Sequence, residues 1–122
     1  MLDLTDLFKL QNDLDTLIVD KNYNKYNLLY KLEKTGTNDK YFLLPRITAL
    51  FTEVAEFANA TRCFKYWSNK PPESLERELD EYVDILHFWL SIGNVMEFSS
   101  TQVEAAYLKK YEENKKRQSE NY

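Results

Sequence analysis

Glycine and proline are scarce in this chain, with 2 and 3 residues respectively among 122. Sandwiches and barrels built from strands need many turns, and turns depend on these two residues. Their scarcity therefore favours a few long helices joined by short links. It also excludes the glycine-rich phosphate loops, because the chain contains neither a G-x-G-x-x-G nor a Walker sequence. A phosphate ligand would have to be held by cationic side chains and a metal ion.

Cysteine and histidine are nearly absent as well, with Cys63 and His87 as the single members of each type. One cysteine cannot form an internal disulfide, which favours a reducing, cytoplasmic setting. The two residues are also too few for a zinc site. No apolar run approaches the roughly 20 residues of a membrane span, and the first residues lack the features of a signal peptide. The formal net charge of -4 argues against non-specific nucleic-acid binding. We therefore expect neither a membrane nor a nucleic-acid partner.

Apolar residues recur at helical spacing along most of the chain. The third helix is predicted to end at a Gly93-Asn94 cap, and the fourth to begin with a capping box of Ser99 and Gln102. This pattern predicts an all-α fold: an antiparallel helical bundle forming one domain over residues 1–122, alone or completed by a second copy. The predicted elements are helices over about 2–20, 42–67 or 45–67, 73–93 and 99–117, a short turn near 26–32 and a loop over 35–39.

Each predicted helix carries an apolar stripe that we expect to be buried. On the second helix the stripe comprises Ile47, Leu50, Phe51, Val54, Ala55, Phe57 and Ala58. On the third helix it comprises Leu75, Leu79, Val83, Leu86 and Leu90.

Two pairs of acidic residues interrupt these stripes. Glu53 and Glu56 form E-x-x-E in the second helix, and Glu81 and Asp84 form E-x-x-D in the third. The i, i+3 spacing puts each pair on one helix face, one turn apart. On packed antiparallel helices the four carboxylates would converge and suit Mg²⁺, which prefers oxygen ligands. Mutual repulsion would make this arrangement unstable without metal. Solvated surface charge is the alternative interpretation, but the flanking apolar residues favour a buried metal site.

Three further residues allow either a binding role or an ordinary structural one. Lys65 and Trp67 follow the first acidic pair. Lys65 can meet a phosphate or solvent, and Trp67 can stack on a base or lie in the core. Gln11, which is polar within an apolar stretch, is either exposed or an amide that reads a base. His87 suits an ordinary core histidine, and Cys63 a small buried residue.

The last helix carries Lys110, Asn114 and Arg117 at i, i+4 and i+7, which places them on one stripe. An asparagine between two cations suits a polyphosphate ester, because the cations can bind phosphate and the amide can bind sugar or base. The alternative is a solvated basic helix end, which interacts favourably with the helix dipole.

Taken in order, these segments resemble the dimeric-type dUTPases of the all-α NTP pyrophosphatase superfamily. The superfamily pattern is E-x-x-E followed by E-x-x-D on the next helix, which MazG-like enzymes also carry. Further likeness lies in the R-C-F-K-Y-W-S stretch and in the opening L-F-K-L-Q-N-D-L-D. The ending A-Y-L-K-K-Y-E-E-N-K-K-R-Q is similar to the family's closing A-Y-x-x-K-x-x-x-N-x-x-R-Q.

The resemblance implies magnesium-dependent hydrolysis of dUTP to dUMP and pyrophosphate by a homodimer. It implies that the metal ligands are Glu53, Glu56, Glu81 and Asp84, with Glu53 also orienting or deprotonating the attacking water. It implies that the phosphates are held by Lys110, Arg117 and Lys65. It implies that uracil and deoxyribose are surrounded by Gln11, Trp67 and Asn114.

Two departures from the family pattern bear on these expectations. The family's final glycine is Asn121 here, and asparagine is the next-best residue for a left-handed cap. Typical members insert further helices before the last one, whereas only residues 95–98 join the last two helices here. The short link bears on dimer geometry, site closure and turnover more than on metal binding. The alternatives are a MazG-like or dCTP-type pyrophosphatase and a low-activity protein-interaction module.

Overall fold

A computed structural model describes residues 1–25 and 43–120, and most of these residues are helical. Four long helices follow one another: α1 (Leu4–Lys21), α2 (Leu43–Thr61), α3 (Leu75–Val95) and α4 (Ser100–Ser119). Neither of the two described ranges contains a strand. The expected all-α class is therefore confirmed. The turn predicted near 26–32 and the loop predicted over 35–39 lie outside the described residues.

Reciprocal side-chain caps begin two of the helices. The Asp6 N–H donates to the Asp3 carboxylate at 2.9 Å, and the Asp3 N–H donates to the Asp6 carboxylate at 3.1 Å. The predicted capping box of α4 is also present, since the Gln102 N–H donates to Ser99 Oγ at 3.1 Å and the Ser99 N–H donates to Gln102 Oε1 at 2.9 Å. Each box provides acceptors for backbone N–H groups that a helix start leaves unpaired.

The second helix ends at Thr61, so the prediction that it continues to Trp67 is wrong. Arg62 adopts a φ of 58°, in the left-handed region where a right-handed helix cannot continue. Its guanidinium donates from Nε to the Lys70 carbonyl at 3.0 Å and from Nη2 to Ser68 Oγ at 2.9 Å. One arginine thus fixes a compact loop that carries the aromatic residues following α2.

Gly93 lies inside α3 and does not end it, so the predicted Gly93-Asn94 cap is wrong. A Cβ atom at Gly93 would lie 2.7 Å from Cε1 of the Phe8 ring, which is closer than van der Waals contact allows. The glycine is therefore required by the close approach of α1 to α3. The helix continues to Val95, and the left-handed residue beyond it is Glu97, with a φ of 59°.

The helices α2 and α3 pack as an antiparallel pair, because Arg46 near the start of α2 bonds Ser91 near the end of α3 and the Glu73 N–H before α3 donates to the Ala60 carbonyl near the end of α2. The first helix contacts the C-terminal half of α3. The Phe8 and Trp89 rings stack with centroids 5.9 Å apart, and Asn94 Nδ2 donates to the Phe8 carbonyl at 3.0 Å. The start of α4 touches α1, where the Thr5 and Ser100 hydroxyls lie 2.6 Å apart. These contacts hold α1 and the start of α4 on one side of the α2–α3 pair.

Many of the apolar residues predicted to be buried are exposed. In the described part of the chain, the apolar side chains with the least exposure are Phe8, Ala60 and Leu90. Phe51 is 71% exposed and Leu75 is 81% exposed, and Val54 and Leu79 are exposed too. The physical reason is that no described helix covers these faces of α2 and α3. The prediction of a fully buried stripe on either helix is therefore wrong for this single chain.

Candidate metal centre

Three of the four predicted metal ligands converge between α2 and α3. One carboxylate oxygen from each of Glu53, Glu81 and Asp84 lies within 4.8 Å of the others. Oxygens around one Mg²⁺ lie about 3 to 4 Å apart, given ligand distances of about 2.1 Å in an octahedron. A small contraction of the cluster would thus place all three on one cation. The antiparallel packing supplies this convergence, because it sets the E-x-x-E turn opposite the E-x-x-D turn.

The buried oxygens of this cluster fit a cation. Glu81 is only 8% exposed, and Oε2 of Glu53 and Oε2 of Glu81 are both buried without a hydrogen-bond partner in the described structure. A buried polar atom without a partner costs roughly 1–3 kcal/mol, and more if it is charged. A hard divalent cation would satisfy both oxygens at once. The donor set therefore suits Mg²⁺ in both chemistry and placement.

Glu56, the fourth predicted ligand, lies at the exposed edge of the cluster. Its carboxylate is close enough to both Glu53 and Glu81 to raise their pKa values by repulsion. Rotation of an exposed side chain costs little, so Glu56 can complete a coordination shell that the other three begin.

Burial is the largest cause of the raised pKa of Glu53, and the neighbouring carboxylates of Glu56 and Asp84 raise it further. Burial also raises the pKa of Glu81 above its ordinary value of 4.5, and Glu56 adds to the effect while the Arg77 guanidinium opposes it. The anionic forms of both residues are thus disfavoured by their surroundings. A bound divalent cation would reverse that preference.

Arg77 is a component of the cluster that the sequence patterns did not indicate. Its Nη2 donates to Glu81 Oε1 at 2.9 Å, and its guanidinium also lies 3.8 Å from carboxylate oxygens of Glu73 and Asp80. The available signal was its position four residues before Glu81 on the same helix, which places the two side chains on one face.

The loop after α2 presents an aromatic group beyond Glu56. Trp67 is 63% exposed, so its predicted alternative role in the core is excluded. Its ring meets Phe64 and Tyr66 edge-on, with centroids 5.9 and 5.2 Å apart. The half-buried Lys65 places Nζ 5.7 Å from the centre of the Phe64 ring. Cys63 on the same loop is exposed, contrary to the prediction of a buried thiol.

The stripe on α4 stands apart from the carboxylates in this protomer. Lys110, Asn114 and Arg117 are all exposed, and Lys110 pairs with Glu113 at 3.3 Å. Among the described helices, α4 packs mainly on α1. The cation that lowers the pKa of Glu81 is Arg77, on α3 itself. The structure therefore brings together three of the predicted metal ligands, and α4 with its predicted substrate-binding residues packs elsewhere.

Gln11 is buried, at 5% exposure, and both ends of its amide are hydrogen-bonded. Its Oε1 lies 2.6 Å from His87 Nδ1, and its Nε2 donates to Asp15 Oδ1 at 2.9 Å. Asp15 Oδ2 accepts from Ser91 Oγ at 2.7 Å, and Ser91 Oγ accepts from Arg46 Nε at 2.7 Å. We call this chain of five side chains the α1–α3 network. His87 is exposed rather than a core histidine.

The network was not predicted, although the sequence contains a signal for it. Gln11 and Asp15 are four residues apart on α1, and His87 and Ser91 are four residues apart on α3, so each pair shares a face. A cavity of about 150 Å³ lies beside the network between α1 and α3. It is lined by Leu7, Leu10, Gln11, Val83, Leu86, His87 and Leu90.

A family model described as dUTPase matches residues 3–100, which is most of the chain and includes α1, α2 and α3. Searches of curated proteins and of solved structures returned no match.

Proposed function

Because the chain belongs to the dUTPase family, it is a dUTP diphosphatase, and we propose that its carboxylate cluster binds Mg²⁺ for that reaction. The ligands in this proposal are Glu53, Glu56, Glu81 and Asp84. The observation that supports it is the convergence of three carboxylates whose buried Glu53 and Glu81 oxygens have no other partner among the described residues. The family's activity is hydrolysis of dUTP. The carboxylate cluster supplies the partly buried negative charge that a metal ion for this reaction would need.

A bound Mg²⁺ would supply a clamp on the polyphosphate and stabilisation of the charge that develops on the reacting phosphoryl group. Glu53 would orient the attacking water and accept its proton at Oε1, because Oε2 would face the cation. Arg77 would hold Glu81 in its present rotamer through the 2.9 Å contact.

The remaining substrate contacts in this proposal follow the family resemblance. Lys65, Lys110 and Arg117 would hold phosphates, and Gln11, Trp67 and Asn114 would surround the nucleoside. Exposure of Trp67 leaves its ring available for stacking, and exposure of the α4 stripe leaves Lys110 and Asn114 accessible. Binding of dUTP therefore requires α4, from this protomer or from a second copy, to approach α2 and α3.

We propose that the working form is a homodimer. Each of the four described helices carries at least one large apolar side chain that is more than 60% exposed. These side chains include Leu17, Leu44, Phe51, Leu75 and Leu108. Covering one such side chain contributes roughly 1.5–3 kcal/mol. A second copy that covers several of them would have a strong driving force to associate.

None of the helices in residues 1–25 and 43–120 has both the length and the hydrophobicity that a membrane crossing demands. The free thiol of Cys63 is exposed. We propose that the protein acts in the cytoplasm, where an exposed thiol remains reduced.

Pyrophosphate release from dUTP, measured with Mg²⁺ and then with excess EDTA, tests the metal proposal. We expect turnover with the metal and at least a hundredfold loss without it, restored by added Mg²⁺, since electrostatic stabilisation is usually the largest part of such catalysis. Full turnover in EDTA would rule out the metal centre. The absence of any turnover by folded protein would contradict the activity itself.

A further inference from the structure

The guanidinium of Arg77 occupies one of the two oxygens of the Glu81 carboxylate. Nη2 of Arg77 donates to Oε1 of Glu81 at 2.9 Å, whereas Oε2 of Glu81 is buried and has no hydrogen-bond partner in the described structure. We propose that Arg77 makes the metal centre selective for Mg²⁺ over Ca²⁺, because it leaves Glu81 a single oxygen for the cation. This inference rests on the metal site proposed above and deepens it.

A cluster of four carboxylates does not by itself select magnesium. Ca²⁺ takes roughly six to eight oxygen ligands and accepts carboxylates through both oxygens, whereas Mg²⁺ keeps a strict octahedron with ligand distances of about 2.0–2.1 Å. A carboxylate that binds through one oxygen therefore suits Mg²⁺, and one that binds through two oxygens suits Ca²⁺ better. The selectivity of the cluster thus depends on how many oxygens each acidic residue can offer.

Glu81 can offer only Oε2. A cation that also bound Oε1 would share that oxygen with the Arg77 N–H group, which would bring its charge close to the guanidinium charge. Glu81 is buried, so solvent ions would screen this repulsion only weakly. Binding through Oε2 alone avoids the shared oxygen. Arg77 is thus a positioning residue, which acts on the metal through Glu81.

The surroundings of Arg77 hold it against Glu81. Arg77 lies in the first turn of α3, where its backbone N–H donates to Oγ of the N-cap residue Ser74 at 3.2 Å. Its Nε and Nη1 each lie 3.8 Å from a carboxylate oxygen, of Glu73 and Asp80 respectively. Each of the three guanidinium nitrogens therefore faces a different carboxylate. The planar fork of an arginine suits this arrangement better than the single ammonium of a lysine.

The charge of Arg77 alone would have a different effect from the one proposed. A positive charge beside the cluster weakens the binding of Mg²⁺ and Ca²⁺ by the same electrostatic term, because the two ions carry equal charge. Loss of a hydrogen bond that holds a metal ligand in place, by contrast, typically lowers metal affinity by about 10- to 100-fold. The ratio of the two affinities therefore separates selection of one oxygen from a simple charge effect.

Thermal unfolding of the metal-free protein with added MgCl₂ or CaCl₂, at constant ionic strength, measures both affinities without a nucleotide. For Arg77→Met we expect the affinity for Mg²⁺ to fall about tenfold, and the affinity for Ca²⁺ to be kept or raised because Glu81 can then bind through both oxygens. Arg77→Lys keeps a charge and a donor, so it should recover part of the preference. Lys70→Met removes an exposed cation elsewhere and should leave the ratio unchanged.

A wild-type ratio of affinities in folded Arg77→Met would overturn the proposal, and a parallel rise of both affinities would show that only the charge of Arg77 matters. Circular dichroism checks that each variant is helical. Arg77→Ala repeats the comparison with the residue of highest helix propensity, in case the methionine variant does not fold.

Failure of this inference is distinguishable from failure of the proposed function. If the wild type binds Mg²⁺ and hydrolyses dUTP but the ratio does not change in Arg77→Met, the metal centre stands and the selectivity role of Arg77 is refuted. If neither ion stabilises the wild type, the metal centre itself is refuted, and this inference with it. A changed ratio in a protein without dUTP turnover would still support the role of Arg77, because no nucleotide enters the titration.

Discussion

Glu53 differs from its neighbour Glu81 in that each influence on its pKa raises it. Burial and the carboxylates of Glu56, Asp84 and Glu81 all disfavour its anion. Burial and nearby carboxylates also raise the pKa of Glu81, but the Arg77 guanidinium partly offsets this increase. At the scale of single residues, the side chain that gains most from a cation is therefore Glu53, which is also the proposed base.

Replacing Glu53 or Asp84 by its amide removes charge without changing shape. We expect Glu53→Gln and Asp84→Asn to lower dUTP turnover by at least about a hundredfold, in the range typical for removal of a proton acceptor or a charge-stabilising group. Glu76→Gln, an exposed position on the same helix as Asp84, is the control and should keep wild-type turnover. Steady-state pyrophosphate release measures all three, with far-ultraviolet circular dichroism to show that each is helical. An active Glu53 or Asp84 variant would refute the carboxylate site.

The raised pKa of Glu53 has a consequence for stability without metal. A carboxyl group whose pKa is higher in the folded than in the unfolded state stabilises the fold below the unfolded value of about 4.5. That contribution is lost as pH rises through 4.5 and through the raised value. In EDTA, we expect the wild type to become less stable relative to Glu53→Gln as pH increases through this window. Urea unfolding of both proteins at several pH values measures the difference, and a constant or opposite difference would contradict the raised pKa.

The location of the acidic pairs was predictable at this scale, because i, i+3 spacing on a helix is local geometry. The partners of Gln11 were not. Its amide is bonded to His87 across the α1–α3 contact, and the network continues to Arg46 on α2. Local sequence patterns do not reveal which helices contact each other. The burial of Gln11 against α3 was therefore not predicted.

At the scale of the elements, helix ends depend on contacts more than on local propensity. Apolar spacing gave four helices near their observed positions. It missed the end of α2 because Arg62 is held in a left-handed conformation by bonds to the loop that follows. It missed the end of α3 because Gly93 faces Phe8, a residue near the other end of the sequence.

The close approach of α1 to α3 at Gly93 can be tested by adding one methyl group. A Cβ there would lie 2.7 Å from Cε1 and 3.2 Å from Cζ of the buried Phe8 ring. Alanine has the better helix propensity, but overpacking costs about 1–3 kcal/mol, so we expect Gly93→Ala to lower the free energy of unfolding. Chemical denaturation measures it. Gly93→Ala with Phe8→Leu should recover part of the loss, and a more stable Gly93→Ala protein would show that the helices do not pack as described.

At the scale of the whole molecule, the exposed apolar faces and the separate α4 stripe both indicate an assembly larger than one chain. A monomer with Phe51 at 71% and Leu75 at 81% exposure leaves much apolar surface in water. In the proposed site, Lys110 and Asn114 would need α2 and α3 within reach to meet a substrate held by the carboxylates. The sequence patterns could not show this, because amphipathic spacing marks an apolar face without saying whether the same chain or another covers it.

We expect the protein to be a dimer whose stability depends on its concentration. Light scattering should give about twice the chain mass of 14.6 kDa at micromolar concentration. The thermal midpoint should rise with protein concentration, because association stabilises the folded chain by mass action. A mass of one chain and a midpoint independent of concentration would exclude the homodimer.

The stacking of Trp89 on Phe8 gives the molecule two separate optical reporters. The chain has 2 tryptophans, of which Trp89 lies at the α1–α3 contact and Trp67 stands on the loop beyond α2 at 63% exposure. Emission from Trp89 therefore follows the docking of α1, and emission from Trp67 would report on the proposed nucleotide site. Replacing either indole by phenylalanine would leave a fluorescence signal that tracks folding or ligand binding alone.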